Sequence, residues 1–235
     1  MIAIIIPYHN TPDALQSLLH KIPVHLHEHT LIIDDGSLYP PHPNIPFGIS
    51  VHTHPICTGY GSSQKTGFAW VLERMSIYPY TQVLLVHGDD QYAVETILQA
   101  TNPLCQVQLG SRILWLQQNS IHDAEQHMPI WRYLGNRLLT KTANGLFQTT
   151  YTDLHTGARI YHTDIIRSVP FHTFRNDFVF DQQMLAHCLA SNIHIKEFPI
   201  APDYSESVSS ISFRRSIHYG VMCLRYLWAA KRKAI

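Results

Sequence analysis

Blocks of apolar residues alternate with amphipathic stretches through the first half of the chain. Nearly continuous apolar runs at residues 2–6, 31–33, 49–53 and 83–86 are too short for core helices and read as strands buried on both faces. Between them a helix is expected from Pro12, another over about residues 62–74, and a third over 93–100. Thr11 ahead of Pro12 is a suitable helix start, because proline at the first helical position gives up no hydrogen bond. This rhythm is that of β-α units in a mostly parallel sheet. "YPPHPNIPFG", residues 39–48, reads as a proline-rich loop, since the strand rhythm resumes on its far side. After "VQLGSR" the pattern changes to a long helix over 129–147, a short strand over 159–161, a helix over 180–189 and a strand over 193–198. The expected fold is α/β, a three-layer sandwich around a mostly parallel sheet in a single domain.

Composition narrows the function classes. The chain has 235 residues, 45% of them hydrophobic, enough for one sizeable core. Formal net charge is zero, so there is no overall electrostatic footprint for nucleic acid, and an anionic partner would need a local cluster. The four cysteines, Cys57, Cys105, Cys188 and Cys223, form no Cys-x-x-Cys pair and are expected to be reduced thiols of a cytoplasmic protein. "MIAIIIPYHN" lacks a basic leader and is broken by Pro7, which disfavours a secretory signal, and no run approaches the roughly 18 apolar residues of a membrane span. Histidine is over-used, with 17 copies, including "HLHEH" at His25 to His29 and "HTH" at His52 to His54. Neither cluster carries a cysteine or helical ligand spacing, so both are expected on the solvated surface rather than on zinc.

Open α/β sheets bind ligands beyond the carboxyl ends of their strands. The segments there are "PYHN" (7–10), "DDGS" (34–37), "CTGYGSSQKTG" (57–67) and "HGDDQY" (87–92). Each has a bland alternative: "DDGS" is a good turn, an aspartate of "HGDDQY" could cap the following helix, and "GYGSSQKTG" lacks both the P-loop ending and the Gly-x-Gly-x-x-Gly spacing.

Their order is more telling than any one of them. "IPYHN", "IIDDGS", "GYG", "HGDDQY", "GSR" and "TGAR" follow one another over about residues 2–213 as in the family 2 glycosyltransferases of GT-A fold, and the chain resembles the dolichol-phosphate mannosyltransferase-like branch in particular. The resemblance implies a GT-A-like fold with a nucleotide-sugar half (1–112), an acceptor half (113–213) and a C-terminal amphipathic, basic helix (214–235). It implies that the strand-end acid motif, here His87, Asp89 and Gln91, holds a divalent metal, Mn2+ or Mg2+, on the diphosphate of the donor. Histidine stands at the first position of that motif, where the family has aspartate; imidazole suits manganese better than magnesium. Asp90 would either supply the missing charge or cap the next helix. Pro7 and Tyr8 would line the base pocket, Asp34 or Asp35 would accept from base or ribose, and Gly36 would allow close approach. Gly59 and Gly61 would border the nucleotide, although Tyr60 replaces a residue that is often basic.

In the acceptor half the resemblance assigns Arg112, Arg132, Arg159 and Ser209, with Arg214 and Arg215, to an acceptor phosphate, whose oxygens a guanidinium matches in pairs. The alternative for the arginines is surface salt bridges. A phosphate acceptor needs no general base, whereas a sugar hydroxyl would need Asp153 or Asp181, because Gln183 stands where relatives often have glutamate. The expected function is inverting, metal-assisted transfer from a nucleotide-diphosphate sugar to a polyprenyl phosphate or a glycan. Helix 214–235 either lies on an anionic membrane at the cytoplasmic face or packs on the core. Two alternatives remain: a catalytically silent nucleotide-sugar-binding module, motivated by His87 and Gln183, and a sugar-phosphate nucleotidyltransferase, whose glycine-rich basic loop "PYHNTPDA" does not supply.

Overall fold

The computed structural model describes residues 1–41, 44–119, 130–201 and 213–233. Chain order is β1 (Ile2–Tyr8), α1 (Pro12–Lys21), β2 (Thr30–Asp34), β3 (Ser50–Thr53), α2 (Tyr60–Arg74), β4 (Gln82–Leu85), α3 (Val94–Ala100), β5 (Val107–Ser111), α4 (Arg112–Gln118), α5 (Ile130–Phe147), β6 (Arg159–His162), α6 (Thr163–Ser168), α7 (Phe180–Ala190), β7 (Ile195–Pro199) and α8 (Phe213–Lys233). The strands form one seven-stranded sheet in the order β3-β2-β1-β4-β6-β5-β7. β6 runs antiparallel to both its neighbours, and every other pairing is parallel.

β1 shows why the apolar runs are continuous. Ala3 and Ile5 join the core cluster of Phe68, Val71 and Phe180, whereas Ile4 and Ile6 join that of Leu15, Leu18 and Ile97. Successive side chains point to opposite faces, so a strand covered on both sides must be apolar at every position. The order reverses direction at β1 and β4, and the parallel strands deliver the ends of β1, β2, β3 and β4 to one edge.

Three local expectations are corrected. The Thr11 hydroxyl donates to the Gly88 carbonyl at 3.2 Å and makes no side-chain cap on α1. Asp90 neither caps α3, whose cap position is Ala93, nor borders the cavity described below; it sits at φ +53° and binds Lys21 Nζ (2.5 Å) and Ser17 Oγ (2.8 Å), tying the β4 loop to α1. His27, His29 and His54 are buried rather than solvated, each with a hydrogen-bond partner, whereas His25 and His52 are exposed. All four cysteines are free thiols.

Candidate active site

Beyond β4 the chain turns so that His87, Asp89 and Gln91, at alternating positions, border one cavity of about 480 Å3. Its walls come from α2 (Tyr60), the start of α4 (Arg112), α5, the segment 155–159, the start of α7 (Asp181) and α8. His87 is fixed by two contacts. Its Nε2 shares a hydrogen bond of 2.6 Å with the Tyr60 hydroxyl, and a Cβ at Gly157 would come within 2.4 Å of its Cε1, so the "TGAR" glycine makes room for the imidazole. Tyr60 stacks on Phe178 at 5.2 Å, and its hydroxyl also lies 3.3 Å from Asp181 Oδ2. Burial, then the Asp181 charge, push the Tyr60 phenol well above its usual range, so it remains a proton donor.

Two arginine-carboxylate pairs stand at the cavity wall, to which Arg112, Arg159 and Asp181 contribute. Arg112 Nε donates to Asp153 Oδ2 at 2.7 Å and its Nη2 to Oδ1 at 3.0 Å, a two-pronged contact with both side chains buried. Burial alone would raise the Asp153 pKa, but the Arg112 charge and hydrogen bonds outweigh it and hold the carboxyl below its ordinary range. Asp153 is therefore an anchor for Arg112 and not a proton acceptor, which corrects its expected role as a base. Glu197 of β7 fixes this segment in turn, accepting from Thr152 N, Thr152 Oγ1 and Asp153 N at 2.8–2.9 Å.

Arg159 lies 3.4 Å from Asp181 Oδ2 and donates to the carbonyls of Thr156 (2.9 Å) and Asp181 (3.2 Å). At 1% exposure the surface salt bridge does not describe it; it is a buried residue bordering the cavity, with most of its donors turned to protein oxygens. Asp181 also accepts from Gln64 Nε2 at 2.7 Å. Gln183 points elsewhere, accepting from the Arg175 backbone at 2.7 Å, so its identity bears on no chemistry in this cavity.

His155 was not singled out by its sequence context. It is neutral, its pKa pushed down to about 3 by burial and by the nearby charges of Arg112 and Arg159 against the opposing pull of Asp153. Its Nδ1 meets the Tyr219 hydroxyl at 3.3 Å, while its Nε2, on the wall of the cavity, is buried with no hydrogen-bond partner among the described residues. Such an orphaned polar atom marks a position that a polar ligand group would satisfy.

The residues expected to hold the nucleotide base lie apart, at the tips of β1 and β2. Pro7 and Tyr8 are buried, and the Tyr8 hydroxyl donates to the Tyr39 carbonyl, so they do not line an open pocket. Asp35 accepts from His54 Nδ1 (2.8 Å), Thr58 N (2.9 Å), Thr58 Oγ1 (2.8 Å) and Gly59 N (2.7 Å). Its carboxylate is committed to the 54–59 turn, and Asp34, equally buried, receives Ser37 N at 3.0 Å. Close approach at the glycines is by the protein itself. A Cβ at Gly36 would meet the Ile56 carbonyl carbon at 2.4 Å, and one at Gly59 the Asn176 carbonyl oxygen at 2.4 Å. Gly61 N donates to that same oxygen at 2.7 Å, so Gly59 and Gly61 dock α2 against the segment before α7 instead of bordering a nucleotide. His9 and Asn10, which were passed over, are the more accessible polar residues at this edge. Ser209 and the side chains of Arg132, Arg214 and Arg215 lie outside the described residues.

No protein-family profile matches the sequence, and no curated protein matches it. Solved structures match over nearly the whole chain. Glucosyl-3-phosphoglycerate synthase from Mycobacterium tuberculosis in complex with uridine diphosphate is similar with a TM-score of 0.69 at 12% identity, over 98% of this chain and 80% of that one. The same enzyme with Mn2+, UDP-glucose and phosphoglyceric acid gives 0.67 at 13%, over 98% and 79%. With Mg2+ and uridine diphosphate it gives 0.67 at 12%, over 98% and 79%. The likeness is one of fold: the chain has the GT-A-like α/β architecture.

Proposed function

We propose that this protein is a glycosyltransferase that takes a sugar from a nucleotide-diphosphate donor, with a divalent cation on the diphosphate, and delivers it to a phosphate-bearing acceptor such as a polyprenyl phosphate. The observation that carries the reading is the convergence of His87, Asp89 and Gln91 with Arg112 and the orphaned His155 Nε2 on one cavity at the tip of β4. The similar structures bind UDP-glucose, Mn2+ and phosphoglyceric acid, which supports the same classes of donor, metal and acceptor here.

The donor set fits the cation. Among the described residues no three His, Cys, Asp or Glu side chains form a ready cage. A hard cation held by one or two carboxylates and completed by phosphate oxygens needs none, so Asp89, with the imidazole of His87, would hold it once the donor is bound. When bound, the cation neutralises charge that builds on the departing diphosphate. The protein does the rest: Tyr60 and Gly157 orient His87, Asp153 orients Arg112, and His155 adds a neutral polar nitrogen. A phosphate acceptor is ionised at neutral pH and needs no base. That agrees with a site where Asp181 at the cavity wall and Asp153 behind Arg112 are both paired with arginines.

Calorimetric titration of UDP and GDP with and without Mn2+ tests this. Binding should require the metal and weaken at least tenfold in Asp89→Ala, and free nucleoside diphosphate should appear when the matching sugar donor meets a phosphate acceptor. Affinity unchanged in Asp89→Ala would overturn the site assignment, and binding without release on any acceptor would favour a silent binding module.

A further inference from the structure

The Tyr60 hydroxyl joins two cavity side chains that are distant in sequence. It lies 2.6 Å from His87 Nε2 and 3.3 Å from Asp181 Oδ2. Asp181 is met by donors on both oxygens: Gln64 Nε2 donates to Oδ1 at 2.7 Å, and Arg159 Nε stands 3.4 Å from Oδ2. A carboxylate paired with a guanidinium accepts hydrogen bonds and has none to give. A phenol carries one hydrogen at neutral pH, and a neutral imidazole carries one on a single nitrogen. Those counts leave one arrangement that satisfies both contacts. Were the phenol to donate to His87, its oxygen and Asp181 Oδ2 would face each other with no hydrogen between them. When it donates to Asp181 instead, its oxygen accepts from His87 Nε2–H and every group has a partner.

The rest of the imidazole follows from that direction. Its Nε2 edge is closed by Gly157 as well, where a Cβ would come within 2.5 Å of the nitrogen. With the hydrogen on Nε2, the Nδ1 lone pair is bare, and Nδ1 makes no hydrogen bond among the described residues. We propose that Asp181, acting through Tyr60, fixes His87 in the Nε2–H tautomer and so presents Nδ1 as the nitrogen donor for the cation. Tyr60 and Asp181 are then positioning residues, which gives the arginine-paired Asp181 a role other than that of a base. An imidazole whose far N–H is held by an oxygen acceptor is a better directed and more basic ligand than a free one. The inference rests on the function proposed above for the identity of the ligand, whereas the tautomer stands on the hydrogen bonds alone.

Nitrogen-15 NMR of labelled histidine in the metal-free protein, at about pH 8.5 where imidazoles are neutral, reads the tautomer without nucleotide, cation or turnover. The His87 signals, identified by their loss in His87→Gln, should show hydrogen on Nε2 and none on Nδ1. Tyr60→Phe retains the ring that stacks on Phe178 but lacks the hydroxyl. In that variant the signals should move to the averaged pattern of an exposed imidazole such as His25. The affinity for UDP or GDP in Mn2+, whichever the wild type binds, should fall by on the order of tenfold in Tyr60→Phe, and that in Mg2+ much less. Hydrogen on Nδ1 in the wild type, or an unaltered tautomer in Tyr60→Phe, would overturn the proposal. So would an undiminished response to Mn2+ in Tyr60→Phe when Asp89→Ala abolishes binding, a result that leaves the proposed function intact. If neither nucleotide binds the wild type, that function fails and the donor role of Nδ1 falls with it.

Discussion

Asp35 spends its carboxylate on the turn that follows β3, where four donors from His54, Thr58 and Gly59 meet it at 2.7–2.9 Å. Burial opposes ionisation there, but the hydrogen bonds outweigh it and bring the pKa from 3.8 down to about 2. A carboxyl depressed in the folded state stabilises the fold above its unfolded pKa, and that contribution is lost as pH falls through the folded value. Asp35→Asn should therefore cost about 2 kcal/mol at neutral pH, with the gap from wild type closing between about pH 4 and pH 2. Urea denaturation at a series of pH values measures it; a gap that stays constant with pH would mean that Asp35 carries no such linkage. The neighbouring Asp34 is indistinguishable from it in sequence, since "DDGS" says only that two acids end a strand. Both are buried, and which of them receives the 54–59 turn depends on where that turn returns in space.

At the scale of elements, legibility follows burial pattern. β1, β2 and β4 were readable because an apolar run between turn signals has few alternatives, whereas β5, in "VQLGS", alternates with polar residues and was not read as a strand. α4 and α6, with seven and six residues, carry too little periodicity to be seen. The candidate cavity was legible where strand ends line it, as with His87, Asp89 and Gln91, and illegible where its walls depend on contacts across the sequence. Glu197 reaches Thr152 and Asp153, which in turn hold Arg112, and no local signal links β7 to the start of α4. The chain of contacts makes a sharp prediction. Asp153→Asn would leave the buried Arg112 charge uncompensated and should cost about 3–5 kcal/mol, whereas Arg112→Met with Asp153→Leu removes both charges and should cost much less. Chemical denaturation of the single and double variants checks it, and additive losses would show that the pair does not act as a unit.

For the molecule as a whole, the decisive distinction is between a cation that belongs to the fold and one that arrives with the donor. A structural ion needs a preformed cage, and among the described residues none exists; Asp89 offers the one carboxylate of the β4 motif that borders the cavity. Removing metal from the free protein should therefore leave its melting temperature unchanged. On the proposed function, a nucleoside diphosphate added with Mn2+ would bind the folded state alone, with Asp89 and His87 holding the cation. At about one hundred times the dissociation constant such a ligand contributes about 2.7 kcal/mol. In a domain of this size that raises the melting temperature by about 5–10 °C. Nucleotide with a chelator, or with Mn2+ on Asp89→Ala, should give little of this shift. If a chelator alone lowers the melting temperature of the free protein, the ion is structural and is held by residues other than the β4 motif; if nucleotide stabilises equally with and without Mn2+, the diphosphate is held by cationic side chains instead, and Asp89 has lost its assigned role.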